Sequence, residues 1–271
     1  MNQFVLSKSG NWLAGLSALA LIILIISVII GAIFIVADIY TWLIVAKYRK
    51  LNREQSSIGL TAEEVAKKML EQEGLPDIQV KKCGFFRALL YGNSYSYRKK
   101  TIFLRGNIYG KNSLTGVATA SRLVGLAVQD RDKEPKFLFV ARALPFVQFA
   151  PFMVLPLVLL GMLLDFVVFS TSVPFLITLI LLGASLVYLL VAFVFTLQNI
   201  RVQKTAIIVA KDILKNGGEY VTQDEYDSVC KLYNYYLTKY VLDFITNTLE
   251  LIKLIFQIIY TALKAVGKIK K

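Results

Sequence analysis

Two long stretches of this chain are almost free of charge. From Trp12 to Ala46 the only charged residue is Asp38, and from Ala143 to Ile200 it is Asp165. A helix needs about 20 apolar residues to cross ~30 Å of hydrocarbon, and both stretches exceed that. They carry most of the apolar excess of a chain that is 56% hydrophobic with mean hydropathy +0.59. An ordinary water-soluble domain has no way to bury so much, so membrane spans are expected.

The first stretch predicts one long transmembrane helix over 12–46, after an external N-terminus at 1–11. Trp42, Tyr40 and Tyr48 mark its interface, and no turn signal supports a fold-back at Gly31. The run is too long for a signal peptide, and its positive flank follows it rather than precedes it. The second stretch is broken by Ser170-Thr171-Ser172 and Pro174, so it predicts a transmembrane hairpin over 143–200. Its two spans are placed at about 146–165 and 174–197, with Pro145, Pro151 and Pro156 kinking the first.

The net charge of +13 fits this arrangement better than it fits nucleic-acid binding, which is not expected. Lys47, Arg49, Lys50 and Arg53 follow the first span, Arg142 precedes the second, and Arg201 and Lys204 follow the third. The hairpin at 166–173 has no charge. Basic residues stay on the cytoplasmic side, which makes both polar regions, 47–142 and 201–239, cytoplasmic.

Within 47–142, Thr61 and Glu64 form a capping-box pattern ahead of Val65, Ala66, Met69 and Leu70 at helical spacing. Gly74 and Pro76 end that helix. Residues 78–82 and 101–105 read as strands, with the Gly92-Asn93 turn and Arg98-Lys99-Lys100 between them. Asn112 or Ser113 caps a helix over 112–129, and a charged loop at 130–136 follows. Leu114, Val117, Val124 and Val128 give that helix a continuous apolar side, and Leu123, Leu126 and Ala127 broaden it until burial is expected. Region 201–239 predicts a helix ending at Asn216-Gly217-Gly218 and a second, tyrosine-rich helix. The C-terminal segment, 240–271, is amphipathic: Asp243, Thr246, Asn247, Glu250, Lys253, Gln257 and Lys264 share one side. It either lies on the membrane or crosses it as a fourth span with the polar stripe facing other helices.

Several chemistries are excluded by residue type. The chain contains no histidine, which removes His-Glu-x-x-His metal sites, Ser-His-Asp and Cys-His triads and histidine general bases. Its two cysteines, Cys83 and Cys230, form no CxxC pair and no disulfide framework.

The layout and several local matches resemble the bacterial membrane-bound neutral zinc metallopeptidases, the YugP-like family. Gly59-Leu-Thr-Ala-Glu-Glu-Val-Ala66 is similar to the helix opening after that family's first span. Tyr95, Lys100, Thr101, Leu104 and Tyr109 match a stretch reading roughly Asp-His-Tyr-Asp-Pro-x-x-Lys-Thr-Val-x-Leu and on to a tyrosine. Without a gap, the register continues into the family's Gly-Val-Ala-Ala-His-Glu-Val-Gly-His-Ala-Ile-Gln helix, where Val124, Gly125, Ala127, Val128 and Gln129 match. The departures fall on the chemistry. The first zinc histidine corresponds to Arg122, the catalytic glutamate to Leu123 and the second histidine to Leu126. The further acidic ligand, just after the third span, corresponds to a position around Asn199.

The fold class expected is therefore mainly α: an integral membrane protein with three transmembrane helices, a fourth C-terminal one as an alternative, and a small α+β cytoplasmic metallopeptidase-like domain. The resemblance implies a pseudopeptidase with no catalytic residues, no metal and no cofactor. Such a protein would act as a scaffold or regulatory subunit among other membrane protein subunits in the lipid bilayer. A transport or channel component is the alternative, with the polar stripe of the last segment lining a path. An enzyme using another mechanism lacks a nucleophile–base pair, a phosphate loop or a CxxC to work with. For Arg122 two outcomes are expected: it reaches solvent or pairs with an acidic neighbour, or it fills the former zinc position and meets a carboxylate or an anionic partner.

Overall fold

A computed structural model describes residues 2–147, 176–216 and 220–269, together with 156, 157, 159–161, 163, 164 and 167. Most of the expected span at 146–165, its Asp165, and the hairpin at 166–173 apart from Val167 lie outside the described residues. The chain forms two compact units, one of residues 1–43 with 242–271 and one of residues 44–241.

The first unit consists of helix on both sides of the chain. Helix α1 (Asn2–Leu51) runs unbroken through Gly31, as expected of a stretch without a turn signal. Helix α8 (Gln223–Ile269) supplies the rest. The sequence divides the latter at 239/240 into a cytoplasmic helix and a separate C-terminal segment. It is instead one helix of 47 residues, because nothing between Thr222 and Val266 breaks it: no proline or glycine interrupts the run.

The second unit is an α+β domain. Helix α2 (Ala62–Gln72) opens on the capping box, with Glu64 N bonded to Thr61 Oγ1 and Thr61 N bonded to Glu64 Oε2. It ends at Gly74, whose φ of +69° suits a residue without Cβ. Strand β1 (Gln79–Lys82) is followed by helix α3 (Phe85–Leu90), strand β2 (Ser94–Ser96) and strand β3 (Thr101–Leu104). Neither α3 nor β2 is legible as an element beforehand. The sheet order is β1-β3-β2, with β1 parallel and β2 antiparallel to β3, and Ile102 pairs with both Val80 and Tyr95. A short helix α4 (Gly106–Tyr109) leads to α5 (Leu114–Arg131), which is capped by Ser113 through its Oγ and Gly116 N at 3.1 Å. A cap of this kind contributes about 1 kcal/mol.

The charged loop expected at 130–136 is shorter than that. Asp130 and Arg131 still belong to α5, and helix α6 (Pro135–Val147) begins at Pro135, whose missing N–H costs nothing in a first helical turn. Helix α7 (Leu176–Asn216) likewise joins the expected third span to the helix after it. The sequence around Gln198-Asn199-Ile200-Arg201 changes polarity without a breaker, so the helix continues out of its apolar half. Among the described residues, two helices contain stretches long and apolar enough to cross a membrane, Val28–Leu51 of α1 and Gly183–Asn216 of α7.

The core of this unit lies around α5. Val65, Ala66, Met69 and Leu70 of α2, Ile102 and Leu104 of β3, and Val202, Ala206, Ile207 and Ala210 of α7 pack about it. Every residue from Leu114 to Asp130 is buried. An apolar stripe this wide has no side left for water, and polar members of the helix find partners inside. Thr119 and Ser121 meet the hydroxyls of Tyr236 and Tyr233 on α8 at 2.9 and 2.5 Å.

Candidate functional site

The middle of α5 borders a cavity of about 510 Å³. Its floor comes from α5 and α7, and its walls from α3, β2 with the loop after it, α6, and Tyr240 of α8. Arg122, Leu123, Leu126 and Asn199, singled out by the sequence, all line it. Helical geometry explains the first three: positions i, i+1 and i+4 share one side of α5. Asn199 joins them from α7, which crosses α5 closely at Gly125. A Cβ at Gly125 would stand 2.2 Å from the Ala206 carbonyl oxygen, so only glycine permits this approach.

Arg122 does not reach solvent; it is 5% exposed. Nor does it form an ion pair with a carboxylate among the described residues. One guanidinium nitrogen donates to Gln203 Oε1 at 2.6 Å and lies 3.5 Å from the Tyr240 hydroxyl. The guanidinium also stands 5.2 Å from the centre of the Tyr236 ring, a cation–π contact. Gln203 Nε2 in turn faces Asn199 Oδ1 at 3.5 Å. The expectation of solvent or an acidic neighbour therefore fails, and a neutral amide takes that place. Helix α7 can offer Gln203 here because it is four residues beyond Asn199 on an unbroken helix.

The sequence reading missed Gln203, Tyr236, Tyr240 and Arg87. Gln203 becomes visible once α7 is known to be continuous. The tyrosines of α8 and the Arg87 of α3 carry no local pattern that ties them to α5.

The cavity's charge is one-sided. Arg87, Arg98, Lys99 and Arg122 line it, and no aspartate or glutamate among the described residues does. Asp130, which bonds to the lining residue Tyr95, is already engaged. Tyr95 donates to its Oδ2 at 2.5 Å, and Lys100 reaches the same oxygen at 2.5 Å. Burial, and then the bond to the Asp130 carboxylate, hold the Tyr95 phenol far above its ordinary range, so it remains a neutral donor.

A zinc ion does not fit these residues. Zinc sites are built from thiolate, imidazole and carboxylate donors. The four corresponding positions offer a guanidinium, two leucine side chains and a carboxamide, and Arg122 brings a like charge. Among the described residues, no three histidine, cysteine, aspartate or glutamate side chains gather as a metal-holding group. Nor can Leu123 accept a proton where a general base would be needed.

Comparison with known proteins points to the same family as the resemblance traced above. The chain is 25% identical over 210 residues to the Bacillus subtilis protein described as "Putative membrane protease YugP", across 78% of this chain and 86% of that one. No solved structure matches. The family described as "Putative neutral zinc metallopeptidase" matches residues 22–259, nearly the whole length, and the chain belongs to that family.

Proposed function

We propose that this member of the family has given up peptide hydrolysis and works as a binding subunit, a scaffold or regulator, of a membrane protein complex. One observation carries the reading. Arg122, Leu123, Leu126 and Asn199 gather around a single cavity, and none of them can hold zinc or take a proton from water. The surrounding framework is intact: Gly125 still admits α7, and Gln129 Nε2 still bonds to the Val202 carbonyl at 3.2 Å. A cavity kept while its chemistry is lost is suited to binding.

The same reading includes three transmembrane segments, an external N-terminus and a cytoplasmic 47–142 region. The basic clusters at 47–53, Arg142 and Arg201 with Lys204 support that orientation, and so do the apolar stretches of α1 and α7.

The test is zinc content together with proteolysis. Full-length protein, purified in mild detergent and dialysed against zinc buffer, is expected to hold far less than one zinc per chain. It is also expected to leave casein intact. About one zinc per chain with chelator-sensitive cleavage would refute the proposal.

A further inference from the structure

Three donors at the cavity wall have no acceptor. Arg87 Nε, Ser94 Oγ and Arg122 Nε are all buried and unpartnered among the described residues. Natural interiors seldom leave such groups unpaired, and a buried guanidinium without a counter-ion is costly. All three belong to the wall of a cavity that also presents Arg98 and Lys99 and, among the described residues, has no acid in its lining. What is missing is an acceptor with negative charge. An oxyanion supplies several acceptor lone pairs at once and is the usual partner of clustered arginine.

The rest of the wall says what the anion is attached to. Leu126, Phe137, Val140 and Leu144 are apolar, so the ligand has an apolar part beside its charge. Just outside, α3 turns Phe85, Phe86 and Leu89 into solvent at 78%, 77% and 70% exposure, while its Arg87 and Leu90 line the cavity. Two neighbouring phenylalanines this exposed are unusual on a soluble surface and mark a contact site. Lys81 and Lys82 are exposed at the end of β1 that leads into α3, and Arg98 and Lys99 are exposed in the turn between β2 and β3. Exposed apolar side chains among cations are the pattern that enters an anionic leaflet.

We propose that the cavity binds the phosphate headgroup of an anionic membrane lipid, with Arg122 at its base, Arg87 and Ser94 on its wall, and α3 resting on the leaflet from which the lipid comes. This rests on the reading of the cavity as a binding site, but its test involves neither zinc nor proteolysis. A protein that cleaved casein would defeat the earlier proposal and leave this one to be judged on lipid alone.

The experiment uses the full chain, delipidated in neutral detergent. Melting temperature and bound lipid by native mass spectrometry are measured with phosphatidylglycerol, phosphatidylcholine, inorganic phosphate or a short peptide with a free C-terminus. Phosphatidylglycerol is expected to raise the melting temperature by several degrees, increasing with concentration as binding to the folded state requires, and to remain at about one per chain, the single headgroup one such cavity holds. The other three are expected to have little effect. Arg122→Met should abolish the response. Because that change is in the core, Arg98→Gln at the exposed rim is the second variant, expected to weaken binding by roughly 2- to 5-fold, a typical loss for one exposed charge contact. The proposal is overturned by an equal response to phosphatidylcholine, to phosphate or to peptide. It is also overturned by a phosphatidylglycerol response that survives in both variants.

Discussion

Gly125 of α5 faces the carbonyl of Ala206 on α7 so closely that an added Cβ would lie 2.2 Å from the oxygen. The obstacle is backbone within a helix and cannot rotate away. It sets the distance between the helix that carries Arg122, Leu123 and Leu126 and the helix that carries Asn199 and Gln203. Replacing Gly125 by alanine must move one helix, and overpacking of this kind costs about 3 kcal/mol. A lower melting temperature is expected in detergent, together with loss of the anionic-lipid response, since the cavity floor separates. An alanine variant as stable as the parent would mean the crossing is not rigid.

Ser121 and Tyr233 form a buried hydroxyl pair at 2.5 Å. The serine hydroxyl also donates to the Val117 carbonyl at 2.6 Å, so the tyrosine is the donor between the two. Burial raises the Tyr233 phenol above its ordinary value and keeps it protonated. Ser121→Ala strands that O–H in a core where Tyr233 is fully buried, at a cost of about 1–3 kcal/mol. Adding Tyr233→Phe removes the stranded group, so the double variant is expected to lose less than the sum of the singles. Simple additivity in a thermal-melting cycle would show that the two hydroxyls are independent.

Much of this architecture is legible in the sequence because its signals are local. The capping box at Thr61 and Glu64, the glycine stop at Gly74 and the wide apolar face of α5 each reflect neighbours within a turn or two. Arg122, Leu123, Leu126 and Asn199, singled out by the motif register, all line one cavity. What escaped was nonlocal. Strand β2 exists because β3 offers it an edge, and Ser94, Tyr95 and Ser96 show little strand character alone. Helix α3 presents Phe85 and Phe86 to solvent, so no amphipathic period identifies it. The partner of Arg122 is an amide 81 positions away, brought there by the α5–α7 crossing. Helices α7 and α8 run past their expected ends because a change of polarity is not a helix stop.

Glu225 ties the segment after α1 to the start of α8. Its carboxylate accepts from Ser57 N at 2.6 Å, Ser57 Oγ at 3.0 Å and Thr222 N at 2.9 Å. Partial burial alone would raise its pKa, but these hydrogen bonds outweigh burial and hold it below the ordinary 4.5. A depressed folded-state value contributes stability above the unfolded pKa, and that stability is lost as pH falls through the folded one. Glu225→Gln should therefore melt below the parent at pH 7, and the gap should close under acid conditions, below the ordinary carboxylate range. A gap independent of pH would assign the effect to shape and not to charge.

The proposed topology puts Cys83 and Cys230 on the cytoplasmic side. Both are free, and both are partly exposed. Burial raises the Cys83 thiol, with Arg87 and Arg105 opposing, so labelling is best carried out at mildly alkaline pH. A membrane-impermeant maleimide is expected to leave both unmodified in intact cells and to modify them after permeabilisation. Modification in intact cells would reverse the orientation.

Restoring the motif residues tests how completely the old chemistry has been replaced. In an Arg122→His, Leu123→Glu, Leu126→His variant, both imidazoles would stand at the i and i+4 positions that already line the cavity. The glutamate would replace a leucine with no solvent exposure, in a variant that has also lost the Arg122 charge beside it. A buried carboxylate in such a place is expected to take up a proton or destabilise the fold by several kcal/mol. Removing Arg122 also deprives Gln203 Oε1 of its donor at 2.6 Å. The position of the further ligand would still be Asn199, a neutral carboxamide already facing Gln203. With two imidazoles and no third anionic donor, zinc would be held weakly, since a catalytic site uses three protein ligands. The variant is expected to melt well below the parent and to leave casein intact with zinc present. Unchanged melting accompanied by new, chelator-sensitive cleavage would show that the cavity still carries a working peptidase frame and that only three side chains separate it from activity.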